Sequence, residues 1–199
     1  MKFILASTSK YRQALLKRLC IPFTCESPEV DETPYPQEAG DKLALRLALA
    51  KANAIANTHS GEHCYIIGSD QVAVVNDLPV GKPGNFENAF KQLRQASGQS
   101  ITFYTGLVVI NCLTGKTFSL LEPFTVKFRS LSDTQIANYL KIEMPYDCAG
   151  SFKCEGLGIA LFEAMEGRDP NSLIGLPLIG FLELLRLQGF ELLDHLPID

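Results

Sequence analysis

The segment Ile4-Leu5-Ala6-Ser7-Thr8-Ser9-Lys10-Tyr11-Arg12 runs from apolar residues straight into three hydroxyls, two cations and a phenol ring. Backbone N–H groups at the start of a helix carry partial positive charge, so a turn that leads from a strand into a helix is a natural anion site. Ser7, Thr8 and Ser9 add hydroxyl donors there, and Lys10 and Arg12 add full charge. The same residues would also make a plain helix cap followed by surface cations. A third cation, Lys51, has Leu47, Ala48, Ala54 and Ile55 at its i±3 and i±4 positions and therefore sits on an apolar helix face. It either snorkels to water along its own methylenes or points into a cleft towards an anion.

Asp70 follows the apolar run from Tyr65 to Gly68, and a charged residue just beyond a buried strand often faces a crevice. None of the three histidines stands in a motif, so any hydrolytic base must be a carboxylate or a metal-bound water. Asp31 and Glu32 lie in an acidic loop that is either simply solvated or a source of hard oxygen ligands for Mg²⁺ or Mn²⁺. Gly81-Lys82-Pro83 places a further cation where glycine allows close approach and proline holds the preceding residue extended. Three separated cations near element ends, together with Asp70, fit a polyphosphate cradle.

The elements that must position these groups follow from apolar spacing and caps. A strand over residues 2–6 leads into a helix capped by Ser9, with Leu15, Leu16 and Leu19 at helical spacing. A short strand near residues 23–25, a Pro-rich acidic loop over 26–37 and a long helix over 38–57 follow. Strands are predicted at 65–67 and 71–75, with a turn at Asn76-Asp77-Leu78-Pro79 and a short return towards Lys82. Helices over 85–96, 132–142 and 177–188, longer strands over 101–111 and 117–128, and a strand at 159–162 complete the pattern. Helices and strands alternate without an internal repeat, giving an α/β or α+β fold with a mixed sheet.

At 199 residues the chain suits one folding unit, residues 1–199, and 46% hydrophobic composition supplies a core. The formal charge of −4 argues against the basic face that gives non-specific nucleic-acid affinity. Six cysteines without a C-x-x-C pair, and an N-terminus too short for a signal-peptide core, point to reduced thiols in a cytoplasm. His59, His63 and Cys64 are the only histidines and cysteines that cluster, and they fall short of a four-ligand zinc motif. The most apolar long stretch, 173–185, is shorter than the ~20 residues a membrane span takes.

Seven segments in order resemble the Maf-type nucleoside triphosphate pyrophosphatases: "LASTSKYRQALL" (5–16), "EVDET" (29–33), "GSDQV" (68–72), "GKP" (81–83), "FYTGL" (103–107), "CAGSFKCEGLG" (148–158) and "EGRDPNSLIGLPL" (166–178). The resemblance implies a Maf/ITPase-like α/β architecture, a mixed elongated sheet flanked by helices in two lobes with a central cleft, often as a homodimer. It also implies metal-dependent hydrolysis of a nucleoside triphosphate to the monophosphate and pyrophosphate. Carried over by position, Asp70 matches the proton acceptor. Ser7, Arg12, Lys51 and Lys82 match phosphate-binding positions, and Glu32 with Asp70 matches the Mg²⁺ or Mn²⁺ site.

Lys10 stands where the family usually has Pro, and Ile101 where its commoner branch has His. Pro in a helix's first turn only pre-sets φ, so the first change costs little. Tyr11, Gln71 and Glu155 fall at positions that separate subgroups and resemble those of the 7-methyl-GTP pyrophosphatases. A 7-methylguanine ring is cationic and can gain roughly 0.5–2 kcal/mol over an aromatic face. A carboxylate such as Glu155 can accept hydrogen bonds from guanine N1–H and the 2-amino group together while opposing the ring's charge. The competing expectations are the same chemistry on dTTP, UTP or another non-standard nucleotide, and a nucleotide-binding septum or cell-division factor.

Overall fold

The computed structural model describes residues 1–75 and 78–196. Its centre is a mixed sheet in the order β2-β1-β3-β5-β6-β7, with β4 also paired to β3. The strands are β1 (Lys2–Ala6), β2 (Phe23–Glu26), β3 (Cys64–Val75), β4 (Leu78–Val80), β5 (Ser100–Asn111), β6 (Thr117–Phe128) and β7 (Phe162–Gly167). β1 runs parallel to both β2 and β3, and the remaining pairs are antiparallel.

Period-two alternation assigns each strand face a helix. Phe3, Leu5, Tyr65, Ile67, Leu107 and Val109 pack under α1 (Lys10–Lys17) and α6 (Leu178–Arg186). Ile4, Ala6, Ile66, Val108 and Ile110 face α2 (Gly40–Ala56) on the other side. A second core, built around Phe103, Phe124, Phe128 and Phe152, gathers α3 (Phe86–Ala96) and α4 (Asp133–Glu143) at the far ends of the same long strands. The caps are those the sequence predicts. Ser9 accepts from Arg12 N, Asn85 from Asn88 N, and Ser132 with Gln135 forms a reciprocal capping box.

Three expectations change. The two strands expected at 65–67 and 71–75 are one strand, β3, because residues 68–70 stay paired to Val108, Leu107 and Gly106 of β5. Asp70 therefore lies within a strand rather than beyond its end. The strand expected at 159–162 starts at Phe162. Gly156 N and Gly158 N both donate to Lys153 O, winding residues 157–161 into a 3₁₀ turn and leaving Ile159 exposed. The last helix is also shorter than expected, and a short helix, α5 (Asn171–Ile174), precedes it. Asn76 and Asp77 of the expected turn lie outside the described residues.

Helix α2 sits unusually close to the sheet because the strands carry glycine beneath it. A Cβ on Gly106 would lie 2.5 Å from Ala44 O, and one on Gly68 2.7 Å from the Ala52 Cβ. Gly106→Ala must push α2 outward, at a cost of about 1–3 kcal/mol. In a chain of this size that lowers Tm by several degrees, at about 2–4 °C per kcal/mol. Gly81→Ala, with nothing within 4 Å of its Cβ position, should leave Tm unchanged. Equal Tm values for the two variants in thermal melts would show that this contact is slack.

Candidate active site

A break in the strand pairing opens the site. β1 pairs with one edge of β3 as far as Leu5↔Ile67, and β4 takes up the same edge only at Ala73↔Val80. Residues 68–72 are left between two diverging strands, and ligands bind in crevices where strands part in this way. A cleft of ≈ 1030 Å³ lies there. Ser7, Tyr11, Arg12, Glu32, Lys51, Asp70, Gln71, Lys82 and Glu155 all line it, so the residues that the resemblance singles out come to one hollow, whereas Asp31 of the acidic loop does not line it and accepts from Thr33 N.

At the N-terminus of α1, Ser7 Oγ accepts from Ser9 N at 3.1 Å and from an Arg12 guanidinium N–H at 3.5 Å. Its own O–H has no protein acceptor among the described residues and is free for a ligand. Arg12 Nε donates to Gly175 O at 2.8 Å, which holds the guanidinium against the cleft wall. Burial lowers the Arg12 pKa, opposed by the charges of Asp70 and Glu32. A guanidinium stays charged throughout the working range. Lys82 is exposed at the cleft edge, with no ion pair among the described residues.

Lys51 does not snorkel. It is 7% exposed, and its Nζ lies 2.6 Å from Asp70 Oδ1 and 2.6 Å from Glu32 Oε1. The close approach of α2 to β3 and β5 explains how a lysine on an apolar helix face reaches a strand carboxylate. The Lys51 ammonium holds the Glu32 carboxyl below its usual pKa, against the opposing effect of partial burial. Asp70 is buried, and its Oδ2 makes no hydrogen bond among the described residues.

Glu32 comes from the acidic loop, which is pinned by one residue. Arg46 grips both Glu38 oxygens at 2.6 and 2.7 Å, donates to Thr33 O at 3.0 Å and stacks on Tyr35 at 4.0 Å. This forked pair depresses the Glu38 pKa to about 2. The folded value lies below the unfolded one of ~4.3, so the pair's contribution is present above that pH and is lost as pH falls towards about 2. Arg46→Ala should loosen the loop that carries Glu32, read as faster backbone amide exchange over residues 31–38. Its stability deficit relative to the parent should shrink in melts between pH 4 and 2; a deficit independent of pH would rule out the Glu38 clamp.

On the other face of β3, Gln71 Nε2 donates to Ser172 O at 2.6 Å, Leu173 O at 3.1 Å and Thr105 Oγ1 at 3.2 Å. Two backbone acceptors fix the amide orientation, and only the Gln71 carbonyl oxygen remains for a ligand. Tyr11 is half-buried, its hydroxyl 3.5 Å from Asp147 Oδ2, and Glu155 is exposed nearby. Burial raises the phenol's pKa, reinforced by the neighbouring Cys148 thiol and by Asp147 and Glu155. Burial likewise pushes the Cys148 thiol up to about 11 and Cys154 up to about 12, so both line the cleft as neutral, inert groups.

Sequence reasoning missed Asp147 and Asp169. Asp147 sits in a loop with no period or spacing to mark it. Asp169 is fully buried. It accepts from Asn171 N at 2.9 Å, Asn171 Nδ2 at 2.7 Å and Ile179 N at 2.7 Å, folding the turn whose carbonyls hold Arg12, Ser69 and Gln71. The Asp-Pro-Asn sequence at 169–171 is a turn signal that could have found it.

Two curated relatives match almost end to end. A 7-methyl-GTP pyrophosphatase of Pseudoalteromonas atlantica is 52% identical over 98% of this chain and 100% of its own. One of Vibrio vulnificus is 53% identical over 96% and 97%. Among solved structures, the Ham1 protein of Staphylococcus aureus is similar at a TM-score of 0.47 and 14% identity over 79% of this chain and 90% of that one. A family model described as Maf-like protein matches residues 2–188, and with it and those two relatives the chain belongs to the Maf-like family.

Proposed function

We propose that the protein hydrolyses 7-methyl-GTP to 7-methyl-GMP and pyrophosphate. The observation that carries this reading is one cleft lined by two kinds of group. Arg12, Lys51 and Lys82 supply cations in the same hollow as Asp70, and Tyr11, with its hydroxyl 3.5 Å from Asp147 Oδ2 and within reach of the Glu155 charge, lines it as well. The names of the two relatives support the same substrate.

The cations bind the triphosphate and spread its charge, the effect that dominates phosphoryl chemistry. Asp70 Oδ1 is held by Lys51, which leaves Oδ2 to take the proton of a water aimed at the α-phosphorus. As the water oxygen bonds to that phosphorus, the α–β bridging bond breaks and its electron pair leaves with pyrophosphate. Glu32 and Asp70 converge on one cationic point, a donor set of hard oxygens that fits Mg²⁺ or Mn²⁺. Such an ion would polarise the phosphate oxygens and offset the charge on the leaving group. The six free cysteines favour a reducing cytoplasm, and the family resemblance favours a homodimer, which light scattering would read.

For the base, Tyr11 and two carboxylates suit a cationic purine. Cation–π attraction of about 0.5–2 kcal/mol corresponds to roughly 2- to 30-fold over GTP. Steady-state kinetics on 7-methyl-GTP, GTP, dTTP and UTP test this, with Tyr11→Leu expected to erase most of the preference over GTP and Glu155→Gln most of that over dTTP and UTP. Equal kcat/KM for methylated and plain GTP would remove the base assignment. A pyrimidine preference would move the enzyme to the dTTP/UTP reading, and binding without pyrophosphate release would favour a nucleotide-binding division factor.

A further inference from the structure

A second cluster of metal-ligating side chains lies apart from the cleft. His59 Nδ1, a Glu62 carboxylate oxygen and Cys64 Sγ all fall within 4.8 Å of one another, and none of the three residues lines the cleft. His63, which the sequence places beside Cys64, is not part of it. We propose that His59, Glu62 and Cys64 form a binding site for Zn²⁺ or a cation of similar softness, distinct from the hard-cation position at Glu32 and Asp70.

The imidazole carries the argument. Its Nε2 lies 3.0 and 3.1 Å from the two oxygens of Glu26, at the end of edge strand β2. That contact places the proton on Nε2 in the neutral ring and turns the Nδ1 lone pair towards the cluster. A carboxylate behind a histidine is the usual support of a metal-ligating imidazole. Nδ1 is shielded from solvent and lies 3.0 Å from Glu62 Oε2 without the alignment of a hydrogen bond, and the Glu26 and Glu62 carboxylates together raise the imidazole's pKa. A lone pair facing a carboxylate oxygen is repulsive unless a proton or a metal ion lies between them, and the metal takes the proton's place.

The third donor is already in place. Cys64 is 1% exposed, and its thiol contacts that of Cys112, a second free cysteine that puts another sulfur alongside. The loop from α2 to β3 that presents the ligands is tied down by its backbone. Glu62 N donates to His59 O at 3.0 Å, Gly61 N to Cys112 O at 2.9 Å and Cys112 N to Cys64 O at 3.0 Å. One nitrogen, one oxygen and one sulfur donor select Zn²⁺ over Mg²⁺. In the metal-free protein a proton competes for the imidazole, so affinity should rise with pH. Bound metal would join the α2–β3 loop to β3 and, through Glu26, to the sheet edge. The site's role is to brace that corner of the fold.

The test is a Co²⁺ titration of the full chain, stripped with a chelator, kept reduced and held in excess Mg²⁺ to cover the cleft carboxylates. One equivalent should bind with a thiolate-to-cobalt charge-transfer band that Zn²⁺ abolishes. Cys64→Ser should lose the band. Glu26→Gln should weaken binding about 10–100-fold, and Glu62→Gln at least about 10-fold. Glu62 is half exposed, so its variant will fold even if Cys64→Ser does not. Zn²⁺ at about 100 times its Kd should raise the parent Tm by roughly 5–10 °C and leave that of Glu62→Gln nearly unmoved. Glu62→Gln should keep full Mg²⁺-supported turnover. The proposal fails if no thiolate band develops, or if the band survives Cys64→Ser. It also fails if ring-nitrogen NMR finds His59 as an imidazolium clamped between Glu26 and Glu62 that Zn²⁺ does not displace.

Discussion

Asp70→Asn should lower kcat by about 10²–10⁴-fold, the usual contribution of a positioned general base, while KM and Tm change little. Asn has the same shape, and the strand pairing of residue 70 with Gly106 uses only the backbone. What disappears is the carboxylate oxygen proposed to take the proton, together with one of the two anions on Lys51. Lys51 keeps Glu32 as a partner, so no buried cation is stranded. The check is a kcat and KM comparison with melts of both proteins. Undiminished kcat, or a loss that merely follows unfolding, would remove Asp70 from its role.

Lys51→Met should cut kcat by about 10²–10³-fold, the scale of losing one preorganised charge-stabilising donor, and should also destabilise the fold. Here the stranded group is Asp70, 8% exposed and without its ammonium. Breaking a buried pair from one side costs about 3–5 kcal/mol. The cost should fall below that range because Arg12 is close enough to act on Asp70. Lys51→Arg keeps the charge but not the shape, since a forked guanidinium must fit an apolar face with Leu47, Ala48 and Ile55. It should recover stability more than turnover. Denaturant titrations beside single-turnover rates would check this, and equal recovery of both would contradict a shape-specific role.

Much of the site was legible because its residues break local rules. A lysine on an apolar helix face, a carboxylate in an apolar run and hydroxyls packed against a helix start each conflict with plain folding logic, and such conflicts mark functional positions. The uninterrupted β3 was not legible from residues 65–75 alone. Gly68 looks like a breaker, and only the approach of α2 shows it to be a packing requirement. The 3₁₀ turn at 157–161 was misjudged for a related reason. Ile159 reads as strand by propensity, but backbone bonds to Lys153 decide the path. Asp147 carries no local signal at all, because its place beside Tyr11 depends on a contact 136 residues away in sequence. The gap between β1 and β4, which creates the cleft, is a property of register that no single segment encodes.

The most direct measurement is a single turnover of 7-methyl-GTP in ¹⁸O-labelled water, with both products resolved by mass. Attack at the α-phosphorus, with Asp70 taking the proton, puts one heavy oxygen in 7-methyl-GMP and none in pyrophosphate. Label in pyrophosphate, or release of orthophosphate in its place, would mean that the cleft directs water to a different phosphorus.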